Sequence, residues 1–175
     1  MNATINSIHT YRGRIEAATI EVEISKGIGI HLIGLPDAAC KETLLRVITA
    51  LQANGYHCPG RRIVINVSTK AVEIGRRKAI GTAHFDLPIA LGILIASGQI
   101  TPANGEKNLF LGELRLDGKI AMPYCGLDNE TDAARVIDFA IGEAFDNIIG
   151  WPTDGDFYSW KGAANLKEVI EFLTK

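Results

Sequence analysis

The chain has 175 residues, of which 47% are hydrophobic and 22% are charged. This length and composition are typical of one globular domain, and they exclude a wholly disordered chain or a collagen. The net charge of -2 does not indicate a globally basic nucleic-acid binder, but the charge is uneven. Residues 113–175 hold 12 acidic and 6 basic side chains, whereas residues 61–84 hold 6 basic side chains and one acidic side chain. The second segment therefore creates a local positive field that the net charge hides.

The cysteine content and the apolar stretches indicate the compartment. The three cysteines, Cys40, Cys58 and Cys125, are odd in number and form no CxxC pair. The first residues lack an apolar stretch of signal-peptide length, and the longest mainly apolar stretch, residues 87–96, is shorter than the roughly 20 residues that span a bilayer. We therefore expect a cytoplasmic protein with reduced thiols and no membrane partner.

Two strands are predicted near the N-terminus. Residues 17–24 alternate between apolar and polar side chains, which predicts a half-buried strand with Ala18, Ile20, Val22 and Ile24 on its apolar face. Lys26-Gly27 is a turn signal, so residues 28–33 are expected to form the hairpin partner of that strand. Residues 34–37 (Gly-Leu-Pro-Asp) then break the second strand.

A helix is predicted from this break to about Asn54, where Asn54-Gly55 is a C-terminal stop signal. A helical period assigns its apolar face to Cys40, Leu44, Val47, Ile48 and Leu51. The opposite face is expected to carry Lys41, Glu42, Arg46 and Gln52.

The remaining elements alternate between strands and helices. Residues 61–67 predict a strand, and residues 68–84 predict a long loop or protruding arm. Asp86 is expected to cap a central helix of about residues 87–97 that is apolar nearly all round. Asp117-Gly118 predicts a hairpin between residues 108–116 and 119–122. The last elements are a helix at 131–143, a strand at 147–151 and a helix at 165–173. Together they predict a single α+β domain over residues 1–175, with helices packed on a mixed sheet.

Several common catalytic motifs are absent. The nearest approach to a phosphate-binding loop runs from Gly112 to Ile120, but it has one residue too many and lacks the hydroxyl residue after its lysine. We therefore expect no ATP hydrolysis and no cofactor in this chain. The four histidines are scattered, so no metal site is predicted.

Three segments taken together resemble the N-terminal domain of the magnesium-chelatase-like ATPases, the ComM/YifB family. They are residues 34–39 (GLPDAA) followed by Lys41-Glu42, residues 85–94 (FDLPIALGIL), and residues 111–114 (LGEL) followed by Leu116-Asp117-Gly118. The resemblance implies a ChlI-type, Lon-protease-like domain, a fold shared with a ribosomal protein domain. It also implies an AAA+ ATPase module that is absent from this chain and would bind ATP and magnesium. The implied role is DNA processing in natural transformation.

Lon proteases use a serine and a lysine, and the resemblance assigns these two positions to Asp86 and Asp128. Because a carboxylate replaces both the hydroxyl nucleophile and the cationic base, peptidase activity through this dyad is expected to be absent. Simpler local roles are a helix N-cap for Asp86 and a first-turn acid for Asp128. A cation held between the two carboxylates is the less favoured alternative, since hard cations want six or more oxygens.

The basic segment supplies the candidate nucleic-acid contacts, namely Arg61, Arg62, Lys70, Arg76, Arg77 and Lys78. Such side chains bind phosphates without sequence preference and with strong salt dependence. The alternatives are a solvated loop, or a loop that pairs with the acidic C-terminal half of a neighbouring copy. Trp151 and Trp160 either form an aromatic contact surface or anchor the last helix in the core.

Three functions follow from these observations. The first is a non-catalytic module that contacts DNA or neighbouring subunits for an AAA+ ATPase, in cis or in trans. The second is a divergent Lon-like serine peptidase, for which Ser97 and Lys119 are the only alternative residues. The third is a pure oligomerisation module.

Overall fold

The computed structural model describes residues 1–11, 14–69, 85–121, 130–150 and 160–175. The described residues form a seven-stranded mixed sheet in the order β3-β4-β2-β1-β5-β8-β9, a two-stranded sheet β6-β7, and four helices. The strands are β1 (Asn2–Tyr11), β2 (Arg14–Ser25), β3 (Ile30–Ile33), β4 (Arg62–Thr69), β5 (Asn108–Leu111), β6 (Glu113–Leu114), β7 (Ile120–Ala121), β8 (Asn147–Gly150) and β9 (Trp160–Gly162). The helices are α1 (Asp37–Ala53), α2 (Asp86–Ala96), α3 (Glu130–Gly142) and α4 (Leu166–Thr174). The predicted mixed sheet with packed helices is thereby confirmed.

The middle of the large sheet is antiparallel, and its alternation agrees with the sequence. β2 pairs antiparallel with β1 on one side and with β4 on the other. The even-numbered residues of β2 from Ala18 to Ile24 are buried, whereas Glu21 and Glu23 on the other face are exposed. The sequence analysis did not assign β1 or the short edge strand β9.

The expected hairpin of β2 and β3 is wrong. β4 lies between them, and β3 pairs with β4 in parallel, with Ile30 opposite Ile63. The insertion gives the apolar strand β4 a neighbour on each side, so its backbone groups are paired on both edges. A turn signal limits only the local chain direction and does not specify which later strand fills the gap.

Helix α2 is the central helix that its composition predicts. All its residues except Ile95 are buried, and it lies against β1, β2 and β5. Gly92 permits this close approach, because a Cβ atom there would lie 2.6 Å from Cγ2 of Val22. No helix of the described ranges is long and apolar enough to cross a membrane.

Two apolar layers cover the two faces of the sheet. The larger layer contains residues of α1, α2 and α4. The smaller one joins α3 to Ile8, Leu109 and Ile148 on the opposite face. Trp160 is buried in this smaller layer, so it is a core residue of the α3 side and does not anchor the last helix, as one alternative had it. Trp151 lies outside the described residues.

The Asp117-Gly118 hairpin is present, but its first strand is divided. β5 belongs to the large sheet, where it pairs with β1 and β8, and β6 forms the hairpin with β7. Gly112 separates β5 from β6, and a Cβ atom there would lie 2.9 Å from Cγ2 of Ile120. This change of direction brings the hairpin to the N-terminal end of α2.

Candidate functional site

Asp86 lies at the start of α2, in the position that the resemblance assigns to a nucleophile, and it is fully buried. Its carboxylate accepts two hydrogen bonds from the guanidinium of Arg46, from Nε to Oδ2 at 2.7 Å and from Nη2 to Oδ1 at 3.2 Å. The backbone N–H of Leu114 donates a third bond to Oδ2 at 3.1 Å. The carboxylate therefore links α1, α2 and the β6-β7 hairpin.

The expected role of Asp86 as a helix N-cap is wrong. The cap position belongs to Phe85, and within the described residues no side chain caps the N-terminus of α2. The N–H of Leu87 is instead bound by the carbonyl of Gly112 at 3.1 Å. Because the Gly112 carbonyl accepts the N–H of the first turn, the Asp86 carboxylate is free to bind the guanidinium.

Opposing effects set the charge state of Asp86. Burial raises the pKa of its carboxyl more than the hydrogen bonds from Arg46 and Leu114 lower it, and the net result is a pKa of about 7. The same pairing raises the pKa of the Arg46 guanidinium. Thr43 Oγ1 also accepts a bond from Nη2 of Arg46 at 3.4 Å, and Glu42 lies 3.9 Å from its Nη1. A carboxylate held in this way has both oxygens occupied and no exposed surface, so it is not placed to attack a substrate.

The sequence analysis missed Arg46. It assigned Arg46 to the solvent face of α1, but the buried side chains of that helix are Thr43, Val47, Ala50 and Leu51, and Arg46 lies at the border of their stripe. Its side chain is only 21% exposed. A usable signal was present, because an aspartate at the start of an entirely apolar helix needs a nearby cation.

Asp128 lies outside the described residues, as do Lys70, Arg76, Arg77 and Lys78. Whether the two acidic positions face each other thus remains a prediction from the resemblance. Within the described part of the chain, no group of three or more His, Cys, Asp or Glu side chains is arranged to hold a metal ion.

Arg61 and Arg62 lie at the beginning of β4, and both are exposed. Among the described residues, neither makes an ion pair. Residue 70, where the rest of the basic segment begins, follows the opposite end of β4. The eight residues of β4 place its two ends about 23 Å apart at the usual rise per strand residue. The two arginines therefore lie at the opposite end of this strand from Thr69, the last described residue before residue 70.

The two alternative peptidase residues have other contacts. The Ser97 hydroxyl donates to the carbonyl of Leu94 at 3.2 Å and accepts a bond from Gln99 at 2.8 Å. Nζ of Lys119 lies 3.8 Å from Asp117, and the Lys119 side chain is 71% exposed. Lys119 therefore lacks the burial that a lysine base requires.

Comparison with known proteins identifies the family. Residues 20–134, about two thirds of the chain, match the family described as subunit ChlI of Mg-chelatase. Uncharacterized protein YifB of Salmonella typhimurium is 38% identical over 120 residues, which are 67% of this chain and 22% of that protein. Competence protein ComM of Haemophilus influenzae is 39% identical over 105 residues, 58% of this chain and 19% of that protein. An uncharacterized protein of Mycobacterium bovis is 34% identical over 106 residues, 60% and 20% of the two chains.

The chain therefore belongs to the magnesium-chelatase-like ComM/YifB family, as the three motif segments indicated. The matched part of the chain spans about a fifth of the length of these relatives. The family match includes Arg46, Arg61, Arg62 and Asp86.

Proposed function

We propose that this chain is a non-catalytic, Lon-like domain of the ComM/YifB type, which contacts nucleic acid or a neighbouring subunit for a cytoplasmic AAA+ ATPase in DNA processing. ATP and magnesium would bind to the ATPase module and not to this chain. The observation that carries the proposal is the state of Asp86. A group at the nucleophile position that is fully buried and bound by Arg46 and Leu114 is suited to holding three elements together.

The nucleic-acid part of the proposal rests on charge and on one relative. Arg61 and Arg62 are exposed without an acidic partner among the described residues, and such arginines are suited to bidentate contacts with phosphates. A relative bears the name competence protein ComM. The basic residues from Lys70 to Lys78 extend the positive charge of the sequence beyond the described part of β4.

Fluorescence anisotropy of labelled single-stranded and double-stranded DNA tests this proposal at two salt concentrations. We expect binding that weakens steeply with salt, and a further loss in the variant Arg76→Ala, Arg77→Ala and Lys78→Ala. Absence of DNA binding at low salt would contradict the nucleic-acid role. In that case, self-association measured by light scattering would favour the oligomerisation module.

A serine-directed covalent probe tests the non-catalytic part separately. We expect no labelling, because Asp86 occupies the position that the resemblance assigns to the nucleophile. Stoichiometric labelling that Ser97→Ala abolishes would contradict the proposal and establish a divergent peptidase.

A further inference from the structure

The connection between β2 and β3 contacts the strand that separates them. Since β4 lies between these two strands, residues 26–29 must pass across the beginning of β4. Gly27 lies against the stem of Arg62, because a Cβ atom on Gly27 would be 3.2 Å from Cβ of Arg62. The carbonyl of Gly29 accepts a hydrogen bond from the N–H of Ile63 at 2.9 Å. Both halves of the connection are therefore attached to the strand that they cross.

The tip of this connection presents an apolar side chain to solvent. Gly27 and Gly29 have φ values of +131° and +97°, in the range that favours glycine. Ile28 lies between them and is 84% exposed, the largest exposure of any large apolar side chain in the described ranges. The two glycines turn the chain on either side of Ile28, and its side chain is left in solvent at the connection that crosses β4.

Three cations are close to this tip. Lys26 is two residues before Ile28, Arg62 begins the strand that the connection crosses, and Arg61 precedes Arg62; all three are exposed. Glu23 lies on the same end of β2, but it forms no ion pair with any of them within the described part of the chain. The end of the sheet therefore combines an apolar tip with a net positive charge, and we call Lys26, Ile28, Arg61 and Arg62 the basic corner.

We propose that the basic corner binds the sugar-phosphate backbone of nucleic acid, with Ile28 packed against a neighbouring sugar or base. This inference rests on the proposed function and gives it a site. Two of the three cations are arginines, whose planar guanidinium matches two phosphate oxygens. Contacts to phosphate oxygens carry no sequence information, so binding through them is expected to be independent of sequence.

An anionic membrane is the other surface that a cationic apolar tip would suit. Polybasic membrane sites typically use clusters of about 4–8 Lys or Arg side chains, or a long amphipathic helix with a broad apolar face. The corner has three cations and one isoleucine, which is less than such a site requires. Three cations are enough to strengthen binding at a larger nucleic-acid interface, because each phosphate contact contributes separately to the affinity.

The corner and the segment that begins at residue 70 consist of different residues. In the chain that segment follows Thr69, the last residue of β4, whereas Arg62 is the first residue of β4. Substitutions in the two regions therefore separate the failure of this inference from the failure of the proposed function.

The experiment measures anisotropy of a short labelled DNA between 50 and 200 mM salt. The test variant is Lys26→Ala, Arg61→Ala and Arg62→Ala, and the matched control is Lys41→Ala, Arg115→Ala and Lys167→Ala, which removes three exposed cations elsewhere. Loss of three phosphate contacts should reduce the slope of log affinity against log salt by about 2–3 and weaken binding at low salt about tenfold or more. The control should change neither quantity to this extent.

Ile28→Ala tests the apolar contact, with Ile141→Ala as the control at another exposed isoleucine. We expect Ile28→Ala to weaken DNA binding without changing the salt slope, and Ile141→Ala to have no effect. All substituted residues are exposed, and matching thermal unfolding curves confirm that each variant folds.

Equal effects of the test and control triple variants would overturn the inference. The proposed function would still stand if Arg76→Ala, Arg77→Ala and Lys78→Ala then abolished binding. If the wild-type protein binds no DNA at low salt, this inference fails together with the nucleic-acid part of the proposed function. Binding to phosphatidylserine vesicles, lost in the test variant while DNA binding is unchanged, would replace nucleic acid with a membrane and also overturn the inference.

Discussion

Removing the guanidinium from the Arg46–Asp86 pair should destabilise the protein strongly. Arg46→Met keeps an unbranched apolar stem of similar length but leaves the fully buried Asp86 carboxylate without its counter-charge. The remaining bond from the Leu114 N–H cannot replace two bonds from a cation. The effect is therefore that of an uncompensated buried charge and not that of a lost surface contact.

The magnitude follows from the burial of the pair. Breaking a buried ion pair by removing one partner typically costs about 3–5 kcal/mol, whereas an exposed pair is worth about 0–1 kcal/mol. Arg46 retains 21% exposure of its side chain and Asp86 none, so we expect about 3 kcal/mol, the lower end of the buried range. For a domain of this size that corresponds to a fall in Tm of about 6–12 °C.

The loss should depend on pH. In the wild-type protein, the pKa of Asp86 is raised from 3.8 to about 7, so folding favours the protonated form. Its contribution to stability is fully present below pH 4 and declines as the pH rises through 7. Without Arg46 the folded pKa rises further, so the cost of Arg46→Met should grow between pH 5 and pH 8. Asp86→Asn has no carboxyl to ionise, so this pH dependence should be absent from it.

Urea denaturation at pH 5 and pH 8 measures these differences in the wild-type protein, the two single variants and the double variant. The double variant Arg46→Met and Asp86→Asn should be more stable at pH 8 than Arg46→Met alone, because the buried charge is gone. A cost below about 1 kcal/mol for Arg46→Met at pH 8, where Asp86 is ionised, would refute the reasoning, since that is the range of exposed pairs. Strict additivity of the two single variants would also refute it.

Three further predictions concern two glycines that have no room for a side chain and one helix cap. Gly92→Ala should cost about 1–3 kcal/mol through overpacking against Val22, and adding Val22→Ala should recover most of it in urea denaturation. Gly34→Ala should cost more than about 1 kcal/mol, because φ is +97° and the new Cβ would meet the carbonyl of Val67; a thermal melt no lower than that of the wild type would contradict this. Asn165→Ala should cost about 1 kcal/mol, since Oδ1 of Asn165 caps α4, and Asn165→Asp should retain most of the stability in the same melts.

The hydrophobic pattern predicted correctly how deeply an element is buried, because burial does not depend on which neighbouring strand or helix covers it. The alternation of residues 17–24 and the uniform apolarity of residues 87–96 gave the correct burial of β2 and α2, because both patterns report how many faces of an element are covered. The same reasoning failed for residues 28–33. It predicted that they pair directly with β2, because the connection is short. In the structure β4 separates the two strands.

The candidate site was predicted in part. Asp86 stood out because the resemblance placed it at a catalytic position, but its true contacts depend on Arg46, 40 residues earlier in the sequence, and on the N–H of Leu114. A helical period separates buried from exposed side chains but does not recognise a charged residue at their border. The sequence likewise did not single out Ile28, because one isoleucine between two glycines cannot show a hydrophobic period. Its exposure results from the path of the connection across β4.

The most direct test of the proposed function is to map where DNA touches the protein. Amide chemical shifts of isotopically labelled protein would be recorded at low salt during titration with a short DNA duplex. We predict shifts concentrated at residues 26–29 and 61–63 and in the segment 70–84, which revert when salt is raised. Shifts centred on the β6-β7 hairpin or α4, or an unchanged spectrum at saturating DNA, would contradict the account.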